Sequence, residues 1–351
     1  MNSIAATRRQ FQHRLFPNGI PPLWCPTLTH FQAAGVLNEA RIQAHLRAIA
    51  PQVRGILVPG STGEGWEMTD AEIETLLQTV LPAAPAAGIH VLIGILKTDT
   101  ASVLNALQTL KPMLEHPAVV GVTICPPQGA DRSQIEIRDA LRTVLDRGHP
   151  TALYQLPQVT QNEMAPETVA ELAAEYANFI LFKDTSGSDR VALADVDLES
   201  VFLVRGAEIG GYFQWPKSAG GPYDGFLLST ANGFSRELAA ILQHLRDGQH
   251  SEAEQLSRQL QQLVQSIFAT VCGFAHGNAF TNANKLVDHF RAFGRAGFQT
   301  APPLLLRGAQ LPAEWIATAG SLLDQAGMLP EVGYWKPEES QNNHINGLTK
   351  P

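Results

Sequence analysis

Short apolar runs rich in β-branched residues recur along the chain, each bounded by Gly, Pro or polar residues and followed by a stretch of helical periodicity. The runs predict eight strands, at 21–27, 55–60, 90–96, 119–125, 151–157, 179–185, 201–207 and 224–230. Helices are predicted at about 39–50, 69–82, 99–115, 133–147, 165–177, 189–197, 209–219 and 234–247. Two of their starts carry capping signatures: Thr69 with Glu72 three residues on, and Ser133 with Glu136. Eight βα units in roughly 230 residues are the size of a closed (β/α)8 TIM barrel. An open doubly wound sheet fits less well, because the first βα turn lacks GxGxxG and "GSTGEG" at 60–65 has the wrong glycine spacing.

Beyond the eighth unit, residues 251–271, 274–295 and 312–328 read as helices without intervening strands. The predicted organisation is an N-terminal arm at 1–19, the barrel at 20–248, a C-terminal helical region at 249–329 and a polar, mobile tail at 330–351.

Composition narrows the function. The 351 residues carry a net charge of −8 with no Lys/Arg run, which argues against a nucleic-acid or anionic-membrane surface and leaves small-molecule chemistry. Cys25, Cys125 and Cys272 form no CxxC pair and read as small buried hydrophobes rather than a disulfide or zinc framework. No stretch of signal-peptide or membrane-spanning character is visible, so a cytoplasmic location is expected.

In a barrel of this kind the reacting groups sit at the carboxyl ends of the strands. The apolar run "FILFKDT" ends in Lys183. Such a lysine either snorkels to solvent or places an amine in the barrel mouth, where desolvation lowers its pKa and makes it nucleophilic. Tyr154, on the preceding strand, is either a core tyrosine or a proton relay. In "PGSTGEG", Ser61 and Thr62 either cap the next helix or, with the backbone amides, bind a carboxylate.

Together these stretches resemble the dihydrodipicolinate synthase / N-acetylneuraminate lyase family of pyruvate-dependent class I aldolases. The matching segments are "GSTGE" at 60–64, "YQLP" at 154–157 and "KDTSG" at 183–187, in the family's order and spacing over residues 20 to 295. The resemblance implies Lys183 as the Schiff-base lysine and Tyr154 as the proton relay. It implies Ser61, Thr62 and Gly63 as the pyruvate carboxylate site, no metal, no cofactor beyond the covalent Schiff base, and a homo-oligomer, dimer or tetramer.

The departures matter as well. Where dihydrodipicolinate synthases carry a tyrosine pair after strand four and an arginine after the Y-N-x-P stretch, this chain has "TICPPQG" with Cys125, and "PQVTQ" with Val159. Neither replaces a phenol or pairs with a carboxylate. The usual Asn after the tyrosine is Gln155. Thr185, Glu208 and Ser229 stand near the positions by which sugar-acid lyases contact substrate hydroxyls, although Glu replaces Asp; Trp66 and Trp215 either narrow the pocket or accept an aromatic substrate, or are simple packing residues. The expected activity is a class I lyase cleaving a 2-oxo acid reversibly to pyruvate and an aldehyde, not a true dihydrodipicolinate synthase. A dehydratase or hydratase using the same iminium, with Glu208 as its acid or base, and a non-catalytic pyruvate-binding sensor are the alternatives.

Overall fold

The computed structural model describes residues 3–336. Eight parallel strands close into a barrel: β1 (Leu23–Pro26), β2 (Gly55–Val58), β3 (His90–Ile95), β4 (Val119–Ile124), β5 (Thr151–Gln155), β6 (Phe179–Asp184), β7 (Phe202–Arg205) and β8 (Gly225–Leu227), with β8 pairing β1. All eight lie within the predicted runs. Helix α1 (Ser3–Leu15) precedes them. Helices α2 (Glu39–Ile49), α3 (Asp70–Val80), α4 (Thr100–Thr109), α5 (Gln134–Leu145), α6 (Pro166–Glu175) and α7 (Ala231–Arg246) follow β1 to β5 and β8. Both capping boxes form: the Thr69 and Ser133 hydroxyls accept from the amides of Glu72 and Glu136, whose carboxylates accept from the cap amides. A hairpin, Phe31–Ala33 with Val36–Leu37, stands between β1 and α2, where no strand was predicted.

The helices predicted at 189–197 and 209–219 do not form; in their place are a single turn, Arg190–Leu193, and a 3₁₀ turn, Lys217–Ala219. Asp189 takes a left-handed conformation (φ 54°) while its carboxylate holds the Arg205 guanidinium, and Ala194 is already extended. Gly210 and Gly211 have φ of 83° and 76°, and Pro216 blocks propagation. Val191 and Tyr212 remain buried in these loops, whereas Leu193 and Ile209 are exposed.

Alternation along the strands divides their side chains between two layers. Trp24, Leu57, Leu92, Ala152, Leu181, Val204 and Leu227 fill the barrel, and Phe16, just past α1, packs beneath them. Outward residues such as Ile56, Val91, Leu153 and Phe182 join the larger core under the helices. The C-terminal region adds α8 (His250–Thr270), α9 (Ala279–Phe293) and α10 (Ala313–Gln325). The stretch predicted as a tail from 330 is placed through residue 336, with the amides of Tyr334 and Trp335 donating to the Arg291 and Ala292 carbonyls; residues 337–351 lie outside the described residues. Among the described residues no helix is long and apolar enough to cross a membrane.

Candidate active site

Strand parity decides where the lysine goes. Ala152 and Leu181 belong to the inner layer, so Tyr154 and Lys183, two residues further along the same strands, also face inward, one layer nearer the carboxyl end. The two are register partners, and the Lys183 Nζ lies 3.9 Å from the centroid of the Tyr154 ring. Lys183 is 3 % exposed, so it does not snorkel. Burial brings its pKa down from 10.5 to about 7, with the sulfurs of Cys125 and Cys25 and the Glu208 carboxylate pulling the other way. The ring face favours the ammonium, yet desolvation dominates, and a large neutral fraction exists near pH 7.

The Tyr154 phenol is pushed up, chiefly by burial and then by Cys125, against the pull of the Ser61 hydroxyl, so it is a protonated donor at any ordinary pH. The Thr185 hydroxyl is buried and stands against the Tyr154 phenol, whose pKa it draws down as the Ser61 hydroxyl does. Gly206, absent from the predicted site, makes room for both groups: a Cβ there would stand 2.2 Å from Thr185 Oγ1 and 2.8 Å from Lys183 Cε. Asp184, next to the lysine, faces outward, where its Oδ1 accepts from the Ser186 amide, and so it is not the lysine's counter-ion.

The loop after β2 folds into a buried 3₁₀ turn, Ser61–Gly63, whose leading amides are not used by the turn itself. The Trp66 indole donates to Ser61 Oγ at 2.9 Å, and Thr29 Oγ1 donates to the Gly63 carbonyl at 2.8 Å. Helix α9 and its cap hold the turn from above: Asn278 Nδ2 donates to the Ser61 carbonyl at 3.1 Å and Thr281 Oγ1 to that of Thr62 at 3.0 Å. Glu64, left-handed at φ 64°, leaves the pocket and pairs with buried Lys285 at 2.6 Å, while accepting from the Leu306 amide at 2.7 Å. Asn278, Thr281 and Lys285 escaped the sequence reading. The available signals were a lysine on a largely buried helix face and an Asn three residues ahead of a Thr.

Glu208 and Ser229 meet, but they bond to each other. Glu208 Oε1 accepts from Ser229 Oγ at 2.5 Å and from the Thr230 amide at 2.9 Å; Oε2 accepts from Thr230 Oγ1 at 2.5 Å and Tyr212 Oη at 3.4 Å. Asn284 Nδ2, from α9, donates to Ser229 Oγ at 2.9 Å. The carboxylate's acceptor capacity is thus taken by protein donors. The structure brings the two expected residues together: the short β8–α7 connection sets Thr230 and Ser229 up against the Glu208 carboxylate.

A second buried cluster lies behind this wall. Asp288 pairs with Arg41 at 2.6 Å and His45 at 3.0 Å and accepts from Tyr334 Oη at 2.8 Å, with His30 at 3.6 Å. Burial pushes its carboxyl up, but Arg41 and the imidazoles together hold it well below the usual range. His30, His45 and Asp288 have the donor types of a metal site, yet the carboxylate is occupied by a guanidinium and His45 Nε2 meets Asn232 Oδ1 at 3.0 Å. The cluster therefore serves as a buried charge network.

Three comparisons bear on this arrangement. A profile of the Dihydrodipicolinate synthetase family matches residues 22–303. An uncharacterized DapA-like lyase of Rhizobium meliloti is 30 % identical over 168 residues, 48 % of this chain and 53 % of that protein. The chain thus spans about half the length of that curated relative. A 4-hydroxy-tetrahydrodipicolinate synthase of Exiguobacterium sibiricum is 25 % identical over 249 residues, 69 % of this chain and 81 % of that one. Among solved structures, YagE, a prophage protein of E. coli K12 in complex with pyruvate, superposes with a TM-score of 0.72 at 20 % identity, covering 88 % of this chain and 99 % of that one. A dihydrodipicolinate synthase from Cyanidioschyzon merolae with lysine bound gives 0.68 at 21 % identity, covering 88 % and 98 %. These likenesses establish the shared fold. With the profile match extending from β1 past α9, the chain belongs to the dihydrodipicolinate synthetase family.

Proposed function

We propose that the protein is a class I aldolase that cleaves a 2-oxo acid to pyruvate and an aldehyde, or runs the condensation in reverse. The observation that carries this reading is the buried amine of Lys183 on the face of the buried Tyr154 phenol, at the mouth of the barrel. The neutral Lys183 Nζ attacks the C2 ketone and Tyr154 protonates the departing hydroxyl; the Tyr154 phenolate so formed takes the C4 hydroxyl proton as the C3–C4 bond breaks, its electron pair passing to the iminium while the aldehyde leaves, and the phenol then returns that proton to C3 of the enamine. The amides and hydroxyls of Ser61 and Thr62 orient the substrate carboxylate, and Thr185 Oγ1 meets an oxygen beside the reacting carbon. Water then releases pyruvate and regenerates the amine.

A dehydratase would require a free acid or base near C3 or C4. Glu208, the residue expected for that task, has its oxygens engaged by Ser229, Thr230 and Tyr212, which favours cleavage over dehydration. A sensor without chemistry would not need a lysine whose desolvation costs folding energy. The test is borohydride reduction in the presence of pyruvate, followed by digestion and mass spectrometry. A carboxyethyl adduct on Lys183, absent from Lys183→Ala, supports the reading; a folded protein that forms no adduct overturns it.

A further inference from the structure

Around the Tyr154 ring, the strand ends present Leu96 after β3, Cys125 after β4 and Leu156 after β5, with Trp66 and Val159 packed against them. This group is separate from the main core and from the layer filling the barrel. It forms one continuous sector of the mouth, from the β2 loop to the short turn Pro157–Thr160. Leu96, Cys125 and Leu156 are buried, whereas Trp66 and Val159 are only partly so. The sector offers no side-chain cation, and its indole N–H is committed to Ser61. A hydroxyl or carboxylate laid against it would lose its water and gain nothing in exchange.

The opposite sector, after β7 and β8, has polar groups, but they are bonded among themselves: Glu208 to Ser229, Thr230 and Tyr212, and Ser229 also to Asn284. Arg205, beside it, faces outward, with its guanidinium held by both oxygens of Asp189 and lying 3.8 Å from the centre of the Trp215 ring. Two independent features, an apolar sector beside the amine and a polar sector already satisfied, agree on the character of the missing reactant.

We propose that the carbonyl partner is an aldehyde bearing an aromatic or branched hydrocarbon group, which lies on Leu96, Cys125, Leu156, Val159 and Trp66. This inference rests on the aldolase reading above. In the condensing direction, C3 of the pyruvate enamine gives its electron pair to the aldehyde carbon, and a C–C bond forms. The carbonyl π pair moves to oxygen and takes the proton of the Tyr154 phenol. Water hydrolyses the iminium to free the 4-hydroxy-2-oxo acid and the lysine, so one pyruvate and one aldehyde give one product with no oxidant or reductant.

The test uses the full-length protein. Borohydride trapping with pyruvate comes first; then benzaldehyde, isobutyraldehyde, glyceraldehyde and succinic semialdehyde are each supplied with saturating pyruvate, and kcat/KM is measured with the product identified by mass. The expected result is a Lys183 adduct, with kcat/KM for the two apolar aldehydes exceeding that for the two polar ones by about 10-fold or more. Val159→Asp should raise KM for benzaldehyde about 10-fold. An adduct accompanied by equal or better use of glyceraldehyde or succinic semialdehyde, or by use of no aldehyde, overturns the inference while the Schiff-base chemistry stands. No adduct at all removes both.

Discussion

Lys183 titrates where its chemistry needs it, and the cost of that falls on folding. Its pKa drops from 10.5 in the free side chain to about 7 in the barrel, through burial. Below about 7 the amine is protonated in both states, and the folded form bears the full desolvation cost. Between about 7 and 10.5 the unfolded chain holds a proton that the folded one lacks, so stability rises with pH, and above 10.5 the difference vanishes. At ~1.4 kcal/mol per unit the cost is roughly 5 kcal/mol at most. Lys183→Met should therefore raise the calorimetric midpoint by several degrees at pH 6 and hardly at pH 10.5. In the parent protein the rate of borohydride trapping should climb through pH 7 as the amine deprotonates; a flat profile from pH 5 to 9 would contradict a buried amine. Tyr154→Phe should keep the fold by circular dichroism and lower turnover by about 100-fold or more. Gly206→Ala tests the space around the lysine. With a Cβ 2.8 Å from Lys183 Cε, trapping should slow by about 100-fold.

At the scale of elements, the tether between the β2 loop and α9 is the part that invites mutation. Lys285 and Glu64 are both buried, and burial lowers the lysine's pKa against the pull of Glu64. Removing one partner strands the other charge, so Lys285→Met or Glu64→Gln alone should cost about 3–5 kcal/mol in denaturant unfolding, and the double substitution appreciably less than their sum. A strictly additive double variant would mean that the two side chains do not interact. This tether also marks where the sequence stops being readable. Strands and capping boxes were legible because continuous apolar runs and S/T-x-x-E spacings are local, and strand parity places Tyr154 and Lys183 on one face. The engagement of Glu208 by Thr230, and of Ser61 and Thr62 by Asn278 and Thr281, joins residues 22 to more than 200 positions apart, and no spacing records it. The helix lost after β6 fails for a related reason, since Asp189 answers to Arg205 on the next strand rather than to its own segment; the one after β7 is broken locally, by Gly210, Gly211 and Pro216.

For the whole molecule, α1 with Phe16 closes one end of the barrel and α9 lies over the loop after β2 at the other. At the amino end Phe16 sets its ring edge-on to Trp24, 6.0 Å away, and to His90, 5.0 Å away. Arg8, fully buried, donates to the backbone carbonyls of Phe179, Ala173, Tyr176 and Glu199, and burial brings its pKa to about 10. Arg8→Met should cost about 3 kcal/mol or more, since it unpairs several carbonyls at once, without slowing trapping per folded molecule, because α1 lies at the opposite end from Lys183. A selective loss of trapping with unchanged stability would show that the two ends communicate.

The same arrangement has a consequence for the order in which the protein is made. Lys183 and Tyr154 leave the ribosome long before Asn278 and Thr281, which hold the Ser61 and Thr62 carbonyls, and before Lys285 and Leu306, which hold Glu64 just beyond them. A nascent barrel that lacks them holds its lysine beside a loop fixed by Thr29 and Trp66 alone, and an amine under a less complete cover is expected to stay more hydrated and more protonated. Biosynthesis thereby defers reactivity: nascent chains stalled with 275 residues emerged should resist borohydride trapping by pyruvate, and chains stalled with 330 emerged should accept it. The nucleophile is present early and becomes a hazard to passing carbonyl compounds only when there is a complete pocket to govern it.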